Sequence, residues 1–346
     1  MRRRSHNGRP RIIKNRLHLL ALVLVLAVPP SGAYPIRPVP LWDLVDRSDR
    51  IVLAQVMEEI EVPPPDVDLE GAPSATVLGG PGSLARLGVR ETWKGTAGDE
   101  IRVVYNGNLI CPAPPRYETG MTVIAFLRQT EDGWRTVGLS YGTLYPAAGE
   151  VDDFREMVKE AVRLQGGPPT ISERRDWLVE AASRPGTRWH GLYELVPETD
   201  RLHSFYDPER KPAARTILSH DQLEKIARGF VDSPPTDRTL PMALAVLRPF
   251  RAPGLDEAAV SAVEALLIRD QPPWWIGDAL EGVFLRYGDR HPRKRLEPLG
   301  DPFEGIDPKV LGRVWRGARK ELLIPRVAPA EDPSVEVWGV GPDTPE

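Results

Sequence analysis

The sequence predicts an α+β chain of two domains, a small closed antiparallel β-barrel over residues 38–146 followed by an α-helical, HEAT-like repeat domain over residues 151–325. Three observations carry that reading. Up to about position 150 apolar and polar residues alternate, the period of a half-buried strand, and beyond it apolar residues recur every third or fourth position, the period of a helix face. Successive strand-like runs in the first half are separated by turn residues and never by a helix-length segment. The helix-like runs of the second half are joined by short proline-rich turns such as Ser233-Pro234-Pro235 and Gln271-Pro272-Pro273. At 346 residues the chain is long enough for two such cores.

Residues 1–33 read as an export leader. Six arginines and Lys14 precede an apolar run over residues 17–28 broken only by His18, and Ser31-Gly32-Ala33 supplies a small-residue cleavage site, expected to be cut after Ala33. The run is shorter than the about 20 residues a spanning helix needs, the alternative being an uncleaved anchor. The expectation is a secreted or periplasmic, cell-envelope protein with no stable membrane span once the signal is removed. What remains carries 38 basic against 49 acidic residues, a net charge of −11. An acidic surface repels phosphate backbones, so nucleic acid is not an expected partner.

The barrel elements follow in order. A short helical turn at "LWDLV" leads into a strand over residues 50–62. The proline- and glycine-dense stretch after it reads as a long loop. "ARLGVRETW" alternates Leu87 and Val89 with Arg86 and Arg90, and Lys94-Gly95 ends it. "DEIRVVYN" places Ile101, Val103 and Tyr105 on one face before the Asn106-Gly107 turn. "GMTVIAFLRQ" is apolar on both faces, as a central strand is. Asp132-Gly133 predicts a hairpin into "WRTVGLSYG". About five strands without intervening helices close most simply into a barrel, which removes exposed edges.

The helical elements begin at "DDFREMVKEAVRLQ", stopped by Gly166-Gly167, and continue with "TISERRDWLVEAAS", for which Ser172 is the expected N-cap. Further helical runs cover 187–196, 220–231, 238–250, 256–269, 274–287 and 307–323. Their uneven spacing makes any solenoid irregular. The tail over 327–346, rich in proline, glycine and acids, has the composition of a disordered segment.

Cys111 is the only cysteine. In an oxidising compartment it has no internal partner. It reads as a small buried apolar group, with an intermolecular disulfide as the alternative. A catalytic thiolate needs a histidine or a helix N-terminus beside it, and Leu109-Ile110-Cys111-Pro112 offers neither.

At "SDRIVLAQVMEEI", "VRETWKGTAGDEIRVVY" and "CPAPPRYETGMTVIAFL" the chain resembles exported bacterial proteins whose first domain is similar to the netrin-like, OB-type barrel of tissue inhibitors of metalloproteinases. The shared elements are Ser48-Asp49 opening the first strand, the Trp93-Lys94-Gly95 turn, and Gly120 before the long apolar strand. The resemblance implies an OB-type fold over roughly residues 41–146. It carries over no site. The animal inhibitors chelate the protease zinc through an N-terminal cysteine and brace the barrel with disulfides, whereas here the expected mature N-terminus is Tyr34-Pro35 and one cysteine forms no internal disulfide.

Candidate chemistry is sparse. Gly138-Leu139-Ser140-Tyr141-Gly142 matches the G-x-S-x-G nucleophile elbow, which makes Ser140 the one catalytic candidate. The elbow needs a helix directly after the serine, and Thr143-Leu144-Tyr145-Pro146 does not open one. His190 and Glu194, at i and i+4 on one helix, are the candidate metal ligands, with His203 and Asp207 repeating the spacing. A helix-surface pair, or a histidine packed beside Trp189, is the plainer reading. Gly79-Gly80-Pro81-Gly82-Ser83 lacks the lysine of a phosphate loop. Arg293, Lys294 and Arg295 belong to a basic run with Arg286 and Arg290, suited to an acidic partner or a phosphate-bearing lipid and equally to solvent. Trp274-Trp275 is either a core wedge or a binding contact.

These features predict an exported binding or scaffold protein with no cofactor, not an enzyme, whose partner is another protein or an envelope component. The alternatives are a serine hydrolase using Ser140 and a protease inhibitor acting through barrel loops.

Overall fold

A computed structural model of the chain describes residues 38–61, 82–107, 113–196, 217–301 and 305–325. The leader, the loop after the first strand, Cys111, His203, Asp207 and the 327–346 tail lie outside the described residues.

Helix α1 (Leu41–Arg47) leads into β1 (Arg50–Glu61), followed by β2 (Ser83–Lys94), β3 (Glu100–Tyr105), β4 (Thr122–Thr130), β5 (Gly133–Thr136) and the two-residue β6 (Thr143–Leu144). The strands pair in the order β1-β2-β3-β5-β4, and β4 returns to β1, which closes a five-strand barrel. Four of the five seams are antiparallel and β3–β5, joined at Val103 and Trp134, is parallel. The fully antiparallel expectation is therefore corrected. Strand directions cannot alternate all the way round a ring with an odd number of members, so one seam must be parallel.

Two apolar clusters follow from the strand period. Val52, Ala54 and Val56 of β1 and Val123, Ala125 and Leu127 of β4 point into the barrel, where they meet Leu87, Ile101, Val103, Tyr105 and Tyr117. The intervening Ile51, Leu53, Ile124 and Phe126 point outward and are equally buried, because the helices cover that face. β4 reads apolar on both faces for this reason.

The helical region comprises α2 (Val151–Gln165), α3 (Ile171–Ser183), α4 (Arg188–Leu195), α5 (His220–Asp232), α6 (Thr239–Val246), α7 (Leu255–Leu267), α8 (Ile276–Arg286), α9 (Pro292–Leu296) and α10 (Pro308–Glu321). The N-cap of α3 is Thr170, not Ser172. Thr170 Oγ1 accepts from the Glu173 N–H at 3.2 Å and the Glu173 carboxylate accepts from the Thr170 N–H at 2.9 Å, a reciprocal capping box. Ser172 has Arg175 three residues on, which is unable to return the second bond. Close helix contact is set by missing side chains. A Cβ on Gly229 of α5 would lie 2.0 Å from the Ser183 carbonyl oxygen at the end of α3.

The motif residues of the first half meet at one junction. Gly95, at φ +74°, would put a Cβ 2.6 Å from the Asp49 carbonyl oxygen. Lys94 Nζ donates to the Val45 carbonyl at 2.6 Å, Ser48 Oγ to the Leu44 carbonyl at 2.6 Å, and the Gln129 N–H to the Asp49 carboxylate at 2.9 Å. Ser48-Asp49 and Trp93-Lys94-Gly95 thus fasten α1 to the barrel. Among the described residues, no helix is long and apolar enough to cross a membrane.

Candidate functional site

Among the described residues, the part of the barrel left open by the helices is the outer face of the second half of β1, the first half of β2 and β3. β4 pairs with β1 only as far as Gln55, whereas β2 pairs with it to Glu61. The second half of β1 therefore runs on past the ring, backed by β2 and β3. Register places Glu58 beside Arg86 and Arg86 beside Arg102, and Ile60 beside Leu84 and Leu84 beside Val104. Alternation sends these two rows outward, while Ala85, Val103 and Tyr105 point into the barrel. The charged row is internally paired. Arg86 lies 3.2 Å from Glu58 and 3.3 Å from Glu100, which also approaches Arg102 at 3.8 Å. Among the described residues the apolar row is only partly covered, with Ile60 41% exposed and Leu84 and Val104 half-buried, and Met57 beside it is 49% exposed. Glu58, Ile60, Leu84, Arg86 and Arg102 line an open cleft of about 480 Å³. Exposed ion pairs of this kind contribute about 0–1 kcal/mol each, so they set charge pattern more than stability. An apolar strip bounded by self-neutralised charge suits another protein surface better than a phosphate or a metal.

Three phenols pack at the barrel core, Tyr105 at the end of β3, Tyr117 ahead of β4 and Tyr145 after β6. Tyr105 donates to the Glu59 carboxylate, Tyr117 shares hydrogen bonds of 2.7 Å with Thr136 and 3.0 Å with Thr143, and Tyr145 donates to the Arg116 carbonyl at 2.8 Å. Burial first of all raises all three phenols above their ordinary range. They stay protonated and serve as hydrogen-bonding struts.

Ser140 sits in a 3₁₀ turn, Leu139–Gly142, between β5 and β6. Both glycines of the motif have backbone causes. Gly138 is left-handed at φ +67°, and a Cβ on Gly142 would fall 1.7 Å from the Val137 carbonyl oxygen. A strand follows, not the helix of a nucleophile elbow. His190 and Glu194 share α4 but face different partners. The His190 ring is buried between Phe154 and Trp189, and its Nδ1 accepts the Leu41 N–H at 3.1 Å. The acceptor nitrogen carries no proton, so the ring is neutral. Burial, and secondarily Arg238, lowers its pKa to about 3. Glu194 instead pairs with Arg174 of α3. Among the described residues no group of three or more His, Cys, Asp or Glu is placed to hold a metal ion.

The basic run divides. Arg286 is buried, bound to Asp256 and to the Leu247 and Phe250 carbonyls. Arg295 pairs with Asp289 and Glu321, both at 2.7 Å. Arg293 stays solvent-exposed with Glu281 at 3.2 Å, and Lys294 is exposed. The tryptophans divide too. Trp275 is buried in the helical core and Trp274 is 40% exposed. The Ile60–Leu84–Val104 row escapes sequence reasoning because the glycine-rich loop reads through Ser83 and the alternating strand only from Ala85, whereas β2 begins at Ser83. Compared with family profiles, curated proteins and solved structures, the chain matches none.

Proposed function

We propose that this chain is an exported binding or scaffold protein that holds another protein, or a proteinaceous envelope component, on the outer face of β1, β2 and β3. On this reading the barrel is of the OB type found in netrin-like domains and the helices are an irregular HEAT-like stack that braces it. The strand order β1-β2-β3-β5-β4 with return to β1 supports the first point. The observation that carries the functional reading is the Ile60–Leu84–Val104 row, exposed at Ile60 and half-buried at Leu84 and Val104 among the described residues, on a barrel whose opposite face is sealed. Solvent-facing apolar rows flanked by polar residues mark contact surfaces. Three of the side chains that looked chemical in sequence are engaged in the fold: His190 ties α4 to α1, and Arg286 and Arg295 tie helix ends together.

The test is a photo-reactive residue placed at Leu84 in the exported chain, with Ile171, on the helical side, as control. A discrete adduct from position 84, absent from position 171 and lost on Ile60→Glu, is expected. Equal adducts from both positions, or labelling of Ser140 by a serine-reactive phosphonate together with a hydrolytic activity abolished in Ser140→Ala, would refute the reading.

A further inference from the structure

Helix α10 is two-faced to an unusual degree. Leu311, Trp315 and Ala318, at i, i+4 and i+7, are buried. Lys309, Arg313, Arg316 and Lys320 recur at i, i+4, i+7 and i+11, and all four are exposed. At 100° per residue the two stripes lie on opposite sides of the helix axis. The buried side is firmly held: Trp315 stacks on Phe284 at 6.2 Å, and Arg319 pairs with Glu264 at 2.8 Å. The helix therefore has no freedom to roll its cations inward. Among the described residues, none of the four outer side chains has an ion-pair or hydrogen-bond partner; the backbone N–H of Lys309 donates to the Asp307 carboxylate. They form a line about 16 Å long at 1.5 Å rise per residue. Just past its end Leu323 projects, 85% exposed, from a left-handed backbone at φ +55°. The turn holding it is fixed by the Ile324 N–H bonded to the Arg319 carbonyl at 3.0 Å, with Ile324 buried. The Arg295–Glu321 bridge ties α9, with its exposed Lys294, to the same end of α10.

We propose that this face docks on an anionic lipid bilayer. A row of long, exposed cations fits a surface of diffuse negative charge, and the leucine at its end adds an apolar contact that needs no shaped pocket. A duplex phosphate backbone answers the cations but offers no apolar contact to Leu323. The overall acidity of the chain does not cancel the local attraction, because charges more than about 8 Å away are screened at physiological salt.

The experiment uses the full chain with an environment-sensitive fluorophore on Leu323→Cys in a Cys111→Ala background, and the same label on Ile171→Cys, 81% exposed on α3, as control. Retained cooperative melting verifies that both labelled chains are folded. Vesicles of phosphatidylcholine alone are compared with vesicles containing about one-third phosphatidylglycerol. Because the signal reports residue 323, lipid binding by the basic leader does not imitate it. A blue shift on the anionic vesicles alone is expected, and it falls as salt rises. Removing two cations in Arg313→Gln/Arg316→Gln is expected to require about 30-fold more anionic lipid for the same signal, at about 1 kcal/mol per cation. No shift at residue 323, an equal shift on neutral vesicles or at residue 171, or the same shift produced by duplex DNA or polyglutamate would overturn the assignment.

Discussion

His190 makes the stability of this protein depend on pH in a window where few other groups act. The perturbation is protonation of a ring that is 6% exposed, accepts the Leu41 N–H, and has its pKa lowered to about 3. In the unfolded chain a histidine titrates near 6.5. Between those values the unfolded state binds a proton that the native state refuses, so stability is full above about 6.5 and declines as pH falls toward 3. Each pH unit in that window costs about 1.4 kcal/mol, so acidifying from about 6.5 to 5 removes about 2 kcal/mol. The contribution of a paired carboxylate such as Glu91 is lost mainly at lower pH, below the usual carboxylate value and toward about 2. The assay is urea unfolding at pH 7.0, 6.0 and 5.0 of the wild type and of His190→Gln, whose amide oxygen accepts a hydrogen bond but does not titrate. The variant should lose less stability than the wild type over this range, by about 2 kcal/mol. Identical pH slopes for the two proteins would show that His190 is not held neutral and that the tie between α4 and α1 is wrongly drawn.

Gly229→Ala should destabilise by about 3 kcal/mol, since its Cβ meets the Ser183 carbonyl, whereas Gly317→Ala, mid-helix in α10 with nothing within 4 Å of a Cβ, should stabilise by about 0.5–1 kcal/mol; thermal melts separate the two signs. Trp275→Ala should cost about 3–5 kcal/mol and Trp274→Ala less than about 1 kcal/mol in chemical unfolding, because the first is buried and the second is 40% exposed. Glu91, whose carboxylate is held at a pKa of about 2 by Arg155 and Trp93, should stay ionised to that pH in a carbon-detected NMR titration. In Arg155→Met its pKa should rise toward the ordinary carboxylate range, and an unmoved titration would exclude the pairing.

The legible parts of this chain were those governed by local periodicity. Alternation in "DEIRVVYN" and the two-sided apolar run of "GMTVIAFLRQ" specify strands whose placement the barrel bears out. The i, i+3, i+4 pattern of Phe154, Met157 and Val158 specifies the buried stripe of α2. The cationic line of α10 is equally readable from spacing once the helix register is known. The site was less legible because exposure depends on what covers a face. Trp274 and Trp275 are adjacent and chemically identical, yet one is core and one surface. Arg286 and Arg293 belong to one basic run, yet the first is sealed among backbone carbonyls and the second lies in solvent.

By itself the sequence determined the change from sheet to helix near position 150, because hydrophobic period is a property of neighbouring residues. Only the tertiary structure decided that β3 and β5 run parallel, that β1 outruns β4 so that Ile60 stays exposed, and that His190 reaches Leu41 across the chain. Each of these depends on ring closure or on contacts between segments far apart in sequence, and no local pattern encodes which distant group a side chain will meet.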